Sequence, residues 1–331
     1  MGFIAKTLRK LKLDLHFYRE AAAFARFQSK YNASASTSRD IAKFQYAILR
    51  INHTLEKGLS LPSPRKGFGH DKAIAILSQL RSYLNRYGKV NADFVLYPLG
   101  TVAGYLEHCK KTKVSYPDVA ALFEEVLSEY SKISGRKPEL LPVGVETIDA
   151  DELKKKAAGS FEELLSSRHS VRSFASGEIP EAVLKKALEM ARLTPSACNR
   201  QSWKTHIFKG ESCKKLLVWQ DGCHGFEDQP ACAILVCADA RAFLSFEMHQ
   251  AYVDGGLYAM NLINALHSLG LGTIPVSCGF DNSKIAVLHK KFGIPANEIP
   301  IVIVCAGLLP KEVKFATSRR KSIESTNTVH E

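Results

Sequence analysis

The sequence predicts an α+β protein in two parts: an all-helical amino-terminal region, then a half in which helices and strands alternate. Three observations carry this prediction. In the first 135 residues the apolar positions recur at three-to-four spacing, with almost none of the alternation that marks strands. In the second half, Ala231–Ala238 and Ile299–Ala306 are nearly continuous apolar runs of strand length. Between the two parts lies a stretch with Pro138, Pro142 and Gly144, a linker composition. At 331 residues the chain has room for two ordinary domains, and the expected division is 1–135 helical, 136–159 linker and 160–331 sheet-containing.

Taken in order, Met1–Asn32 carries Ile4, Leu8, Leu11, Leu15 and Tyr18 at helical spacing beside Lys6, Arg9, Lys10 and Lys12. Such a helix suits either an anionic membrane surface or an arm packed on protein. A second helix is expected over Asp40–Lys57, with Ile41, Phe44, Ile48, Leu49 and Leu55 inward and Gly58 ending it. A third starts at Asp71 and buries Ile74, Leu77, Leu80 and Leu84. Two more cover Asp93–Cys109 and Pro117–Ile133, the latter with proline in its first turn and Gly135 beyond its end. In the second half, Glu181–Leu193 and Ser283–Phe292 read as helices, and Thr205–Lys209 and Thr273–Val276 as strands. Met248–Leu269 is apolar on most faces, so it needs protein on several sides, within the domain or at a dimer interface. The polar stretch from Lys321 is expected to be mobile.

The net charge of +12 favours phosphates or anionic surfaces. No interleaved aromatic and basic motif points to nucleic acid. Eight cysteines, at 109, 198, 213, 223, 232, 237, 278 and 305, include no Cys-x-x-Cys pair, so no metal site is expected and free thiols in a reducing cytoplasm fit best. No apolar run reaches the length of a spanning helix, and the amino terminus lacks the apolar core of a secretory signal. Dinucleotide-fold glycine fingerprints, phosphate loops, nucleophile elbows and His-Glu-x-x-His helices are all absent.

Two motifs carry chemistry. Arg168-His169-Ser170-Val171-Arg172 puts two guanidinium groups, an imidazole and a hydroxyl in one short segment, which alone suits a solvated basic turn or an anion grip. Pro195-Ser196-Ala197-Cys198-Asn199-Arg200-Gln201-Ser202-Trp203 follows a helix and precedes a strand, giving a rigid bend rich in hydrogen-bonding groups. Together with the long helix that ends in Leu269-Gly270-Leu271-Gly272-Thr273, these motifs resemble the nitroreductase family of flavin mononucleotide (FMN) enzymes over the last half of the chain. That resemblance implies a mixed central sheet flanked by helices.

The resemblance also implies where FMN binds. Arg168, Ser170 and Arg172 would contact its phosphate, ribityl chain and pyrimidine edge, with His169 inside the same grip. Pro195, Ser196, Ala197 and Asn199 would reach the flavin of a partner subunit in a homodimer. Pro275–Gly279 would line the ring near N5, with a backbone N–H of Ser277 or Cys278 as donor. Arg320, helped by Arg319, would hold the phosphate from the carboxy-terminal side. A cation near N1 would stabilise reduced flavin. The flavin N5 would perform the chemistry, so no catalytic side chain is required. Ser202 stands where the family usually has proline before tryptophan, and Ser318 where many members have a second basic residue. Asp221–Gln229 lies where some members place an asparagine, but Gly222-Cys223-His224-Gly225 does not align with it, and His224 reads as a polar loop residue.

Only about ten residues separate the strand ending at Ala238 from the central helix, too few for the helical lid of several family members. The helical region is the expected substitute cover, through Leu55–Pro62 and Gly67–Gly69, with His53 and Glu56 one helical turn apart. The alternative for that pair is an ordinary solvated helix end. This segment resembles extensions of nitroreductase-like proteins from bacterial polysaccharide gene sets. The implied function is NAD(P)H-dependent reduction of a nitro, quinone or other small-molecule acceptor. Two alternatives stay open: a flavin enzyme acting on a dedicated glycan-related intermediate without NAD(P)H, and a non-catalytic flavin-binding scaffold.

Overall fold

A computed structural model describes residues 2–31, 40–65, 67–140, 145–244, 247 and 249–330. The chain divides into two compact units. Residues 1–60, 64–145 and 316–331 form a helical unit, and 61–63 with 146–315 form a sheet unit.

The helical unit contains α1 (Gly2–Tyr31), α2 (Ile41–Leu59), α3 (His70–Asn91), α4 (Leu96–Lys111) and α5 (Pro117–Ser134). Asp40 caps α2 by accepting from the Lys43 N–H, and Gly135 closes α5 in the left-handed conformation that glycine adopts without strain. The apolar faces of α2 to α5 meet in one core that includes Phe44, Ile48, Leu55, Leu77, Leu80, Tyr83, Leu99 and Tyr105. Gly58 does not end α2, which runs on to Leu59 with Ser60 as its cap. The Phe68 ring fills the space above Gly58, where an added Cβ would lie 2.4 Å from Phe68 Cε2. Glycine there admits an aromatic ring rather than a turn. Along α1, Leu11, Leu15 and Tyr18 share one face, while Leu13, Phe17, Phe24 and Phe27 lie on roughly the opposite one at 100° per residue; all seven are exposed.

The sheet unit is built from β1 (Val145–Asp149), α6 (Ala150–Ala157), α7 (Phe161–Ser167), α8 (Glu181–Ala191), β2 (Trp203–Lys209), α9 (Gly210–Gln220), β3 (Cys232–Asp239), α10 (Gln250–Ser268), β4 (Leu271–Ser277), α11 (Asn282–Phe292), β5 (Glu298–Leu308) and β6 (Glu312–Ala316). The main sheet has the order β2-β3-β5-β4 with every neighbouring pair antiparallel, and β1 pairs with β6 in a separate ribbon. Among the described residues, parallel pairing enters through one bridge, Ser170 with Thr273. The bend between α7 and α8 thereby joins the edge of β4. Seven of the eight β3 residues are buried, as expected of a strand covered on both faces. On one face Leu235, Cys237, Ile303 and Cys305 pack against Leu216 and Leu217 of α9 and Leu288 of α11. On the other, Ile234, Val236 and Val304 meet Ala187 of α8 and Tyr258, Leu262 and Leu266 of α10. Residues 145–157, within the stretch that reads as linker, form β1 and α6, and Leu153 is buried in the sheet unit's core.

No described helix is long and apolar enough to cross a membrane. None of the eight cysteines is in a disulfide, and seven are buried.

Candidate active site

The Arg168–Arg172 segment is held in an extended form by its surroundings. A capping box between Ser160 and Glu163 starts α7, and Arg168 leaves its end with φ −75° and ψ 114°. The Val171 N–H donates to Thr273 O at 2.9 Å and the Ala175 N–H to Leu308 O at 2.9 Å, tying the segment to β4 and β5. Two glycines let it approach: a Cβ at Gly272 would lie 3.1 Å from Val171 Cγ1, and one at Gly307 2.6 Å from Phe174 Cδ1. Residues two apart share a side of an extended chain, so Arg168, Ser170 and Arg172 alternate with His169 and the buried Val171. His169 stacks on Phe315 of β6, ring centroids 3.6 Å apart. Arg172 is buried, and Arg168 and Ser170 are half-buried.

Beneath Arg168 lies a pair that the sequence did not reveal. Ser167 Oγ is 3.0 Å from His267 Nε2, and both residues are buried. Burial, reinforced by the Arg168 charge, pushes the His267 pKa down to about 4. A neutral imidazole therefore backs the cation, where an imidazolium would repel it.

The Pro195–Trp203 bend has an unusual backbone. Cys198, Asn199 and Gln201 have φ values of 51°, 54° and 47°, a region that non-glycine residues occupy at a cost of about 1 kcal/mol each or more. The buried Asp254 of α10 offsets this by accepting from the Ala197 N–H at 3.2 and 3.3 Å, and from Gln250 Nε2 at 2.8 Å. Arg200 anchors the far side through two 2.7 Å bonds to Glu247, holding that carboxyl down at about 2, and through one to Ala242 O. The bend leaves Pro195, Cys198 and Asn199 exposed, and Ser196 and Ala197 half-exposed.

In Pro275–Gly279, Pro275 and Ser277 are exposed and Cys278 is buried, its thiol pushed up to about 12 by burial. Cys278 is thus a protonated core thiol rather than a nucleophile. Gln220 Nε2 donates to Ser277 O at 3.0 Å, and Ser277 Oγ accepts from the Gly279 N–H at 2.9 Å. In the neighbouring loop, exposed His224 pairs with Asp221 at 2.8 Å. Gln229 Oε1 accepts from the Phe174 N–H at 3.2 Å, and Leu61 packs beside Gly225.

Arg319 and Arg320 belong to the helical unit, not to the unit that holds Arg168 and Arg172. With Lys321, Gln45, His53, Glu56, Asp93 and Tyr97 they line a cavity of about 940 Å³. Glu56 is buried there, accepting from Tyr97 Oη at 2.7 Å, with His53 Nδ1 3.8 Å away. Glu56 is thus enclosed, whereas the His53 side chain stays 54% exposed. Within the sheet unit, the structure joins Arg168, Ser170 and Arg172 on one segment pinned to β4, the strand that carries Pro275 and Ser277. Sequence reasoning missed His267, Asp254 and Glu247. The available signal for Asp254 was an acidic residue inside the apolar run Ala251-Tyr252-Val253-Asp254-Gly255-Gly256-Leu257.

A family model described as the nitroreductase family matches residues 165–219 and 214–308. This part of the chain is similar to the nitroreductase family. The matched region starts at the Arg168 segment and ends with β5, so it takes in the whole main sheet. The chain is similar to a "Putative NADH dehydrogenase/NAD(P)H nitroreductase" of Methanothermobacter thermautotrophicus, 27% identical over 148 residues, covering 44% of this chain and 75% of that protein. A protein of the same name from Archaeoglobus fulgidus is 26% identical over 152 residues, covering 46% and 86%. Among solved structures, a "putative nitroreductase in complex with FMN" from Exiguobacterium sibiricum is 18% identical with a TM-score of 0.47, covering 52% of this chain and 98% of that one.

Proposed function

We propose that the sheet unit is a nitroreductase-family domain that binds FMN and oxidises NAD(P)H, passing the electrons to a small-molecule acceptor. The observation that carries this reading is the Arg168–Arg172 segment, where two guanidinium groups and a hydroxyl are set on one side of a chain pinned to β4. Guanidinium pairs suit a phosphate by charge-assisted bidentate bonding. The donor set fits FMN in a second respect. Thr273 Oγ1, across the bridge from Ser170, is buried without a hydrogen-bond partner, and a bound polar group would satisfy it. When bound, the flavin supplies hydride chemistry at N5. The chain's own contribution is to hold the anionic end, to set cations against negative charge and to keep His267 neutral behind Arg168. His169 supports the segment through its stack on Phe315. Pro275, Ser277 and Cys278 are assigned to the ring edge.

The domain is proposed to work as a homodimer. Tyr252, Val253, Leu257 and Met260 form an exposed stripe on α10 next to the exposed Leu193, and apolar surface of this kind marks an interface. That face adjoins the bend bearing Pro195, Ser196, Ala197 and Asn199, which a dimer would present to the partner's flavin. Arg319 and Arg320 are assigned to phosphate only through the family resemblance. Their shared cavity with His53 and Glu56 supports an acceptor-binding role of the helical unit, and the resemblance of that unit suggests a glycan-related acceptor. The two-sided apolar pattern of α1 suits a protein neighbour better than a bilayer surface, which wets one face only.

The test is the anaerobic spectrum of the purified protein. A flavin band that bleaches on addition of NADH or NADPH supports the reading. A yellow protein that neither nucleotide bleaches shifts it to a dedicated substrate or a scaffold, and a protein that cannot be loaded with FMN refutes it.

A further inference from the structure

On the α9 and α11 side of the main sheet, three neighbouring strands bring together residue types that the family chemistry does not use. His206 of β2, Cys237 of β3 and Glu298 of β5 place one imidazole nitrogen, one sulfur and one carboxylate oxygen within 4.8 Å of one another. His206 Nε2 and Glu298 Oε2 are 2.6 Å apart. Glu298 and Cys237 are buried, while His206 keeps 28% of its side chain exposed. The cluster is thus enclosed on the sheet side and open to solvent at the imidazole.

The backbone is adapted at this point. The β3–β5 register shifts between Val236 and Cys237, so that Val236 faces Val302 but Cys237 faces Pro300. One residue of β5, Ile301, is the extra residue of a bulge, a device that re-aims side chains. Pro300 fits there because a bulged position does not require its missing N–H.

We propose that His206, Cys237 and Glu298 form a three-ligand site for a divalent metal ion, zinc by the chemistry of the set. A thiolate, an imidazole and a carboxylate are ligands that zinc accepts together, and three protein ligands leave a fourth position for water. Bonds of roughly 2.0–2.3 Å imply ligand atoms about 3.3–3.8 Å apart in a tetrahedral site, so side-chain rotations must open the 2.6 Å His206–Glu298 pair by about 0.7 Å and close any wider separation, none of which exceeds 4.8 Å. Binding converts the Cys237 thiol to a thiolate and releases its proton to solvent. The two anionic ligands then neutralise the ion, and a bound zinc would cross-link β2, β3 and β5. This site is independent of the flavin reading, since none of its residues belongs to the proposed FMN contacts.

The experiment uses full-length protein, incubated with equimolar zinc and desalted, then assayed for metal content and by zinc-edge X-ray absorption. One zinc per chain with a single sulfur neighbour is expected. Cys237→Ser should remove the sulfur signal, and His206→Asn, at a partly exposed strand position, should lower zinc affinity by more than about tenfold. Far-ultraviolet circular dichroism confirms that each variant is folded. Protein that retains no zinc overturns the proposal and leaves His206 and Glu298 as a plain hydrogen-bonded pair. A sulfur signal that persists in Cys237→Ser, or zinc affinity unchanged in His206→Asn, also overturns it by placing the metal elsewhere.

Discussion

Acidification should destabilise the sheet unit through His267 before most of its carboxylates titrate, and His267→Gln should remove that sensitivity. In the folded protein the imidazole pKa is depressed from 6.5 to about 4, by burial first and the Arg168 charge second. The unfolded chain therefore binds the extra proton between those two values. His267 contributes fully to stability above pH 6.5, and the contribution is lost as pH falls through 6.5 towards 4. A difference of roughly 2.5 units at 1.36 kcal/mol per unit sets a ceiling of about 3 kcal/mol, most of it gone by pH 4.5. Glutamine does not titrate, yet its amide can still bond to Ser167 Oγ, which lies 3.0 Å from Nε2 in the native pair. The assay is urea unfolding at pH 7.0 and 4.5, followed by tryptophan fluorescence. Both tryptophans, Trp203 and Trp219, lie in the sheet unit. Wild type should lose about 2–3 kcal/mol more than the variant across that interval. Parallel losses would refute the claim that a neutral His267 backs Arg168.

Two further outcomes are expected. Asp254→Ala strips the Ala197 N–H of its carboxylate, leaving three left-handed residues poorly held; a stability loss of about 2–4 kcal/mol and weaker FMN binding should follow, and unchanged FMN affinity on titration would detach this bend from the cofactor. Gly307→Ala puts a methyl 2.6 Å from Phe174 Cδ1, so it should cost about 1–3 kcal/mol in thermal or urea unfolding, and a neutral result would show that the Arg168–Ala175 segment is not packed tightly on β5.

Much of the fold was legible because burial wrote itself into local pattern. The run at β3 is apolar throughout, being covered on both faces, and α2 to α5 show their core stripes at helical spacing. What escaped depended on partners distant in sequence. β1 has only five residues, Val145-Glu146-Thr147-Ile148-Asp149, and exists because β6 lies beside it some 165 positions later. Gly58 read as a stop because the Phe68 ring that it accommodates is not visible locally. The Arg168–Arg172 and Pro195–Asn199 motifs were recognisable as sequences, whereas their supports were not: Ser167 meets His267 and Ala197 meets Asp254 only after the chain has folded. Arg319 and Arg320 were assigned by position, and the structure sets them in the helical unit's own cavity.

The order of the two units along the chain bears on synthesis. Residues 146–315 are inserted between two parts of the helical unit, which resumes with residues 316–331. A ribosome therefore finishes residues 146–315 while the outer unit still lacks residues 316–331. The inserted unit enters through β1 and leaves through β6, a pair of hydrogen-bonded neighbours. Its two ends are thus brought together by its own folding, and the emerging tail is delivered beside the strand from which the first 145 residues hang. Assembly of the outer unit then becomes a short-range search.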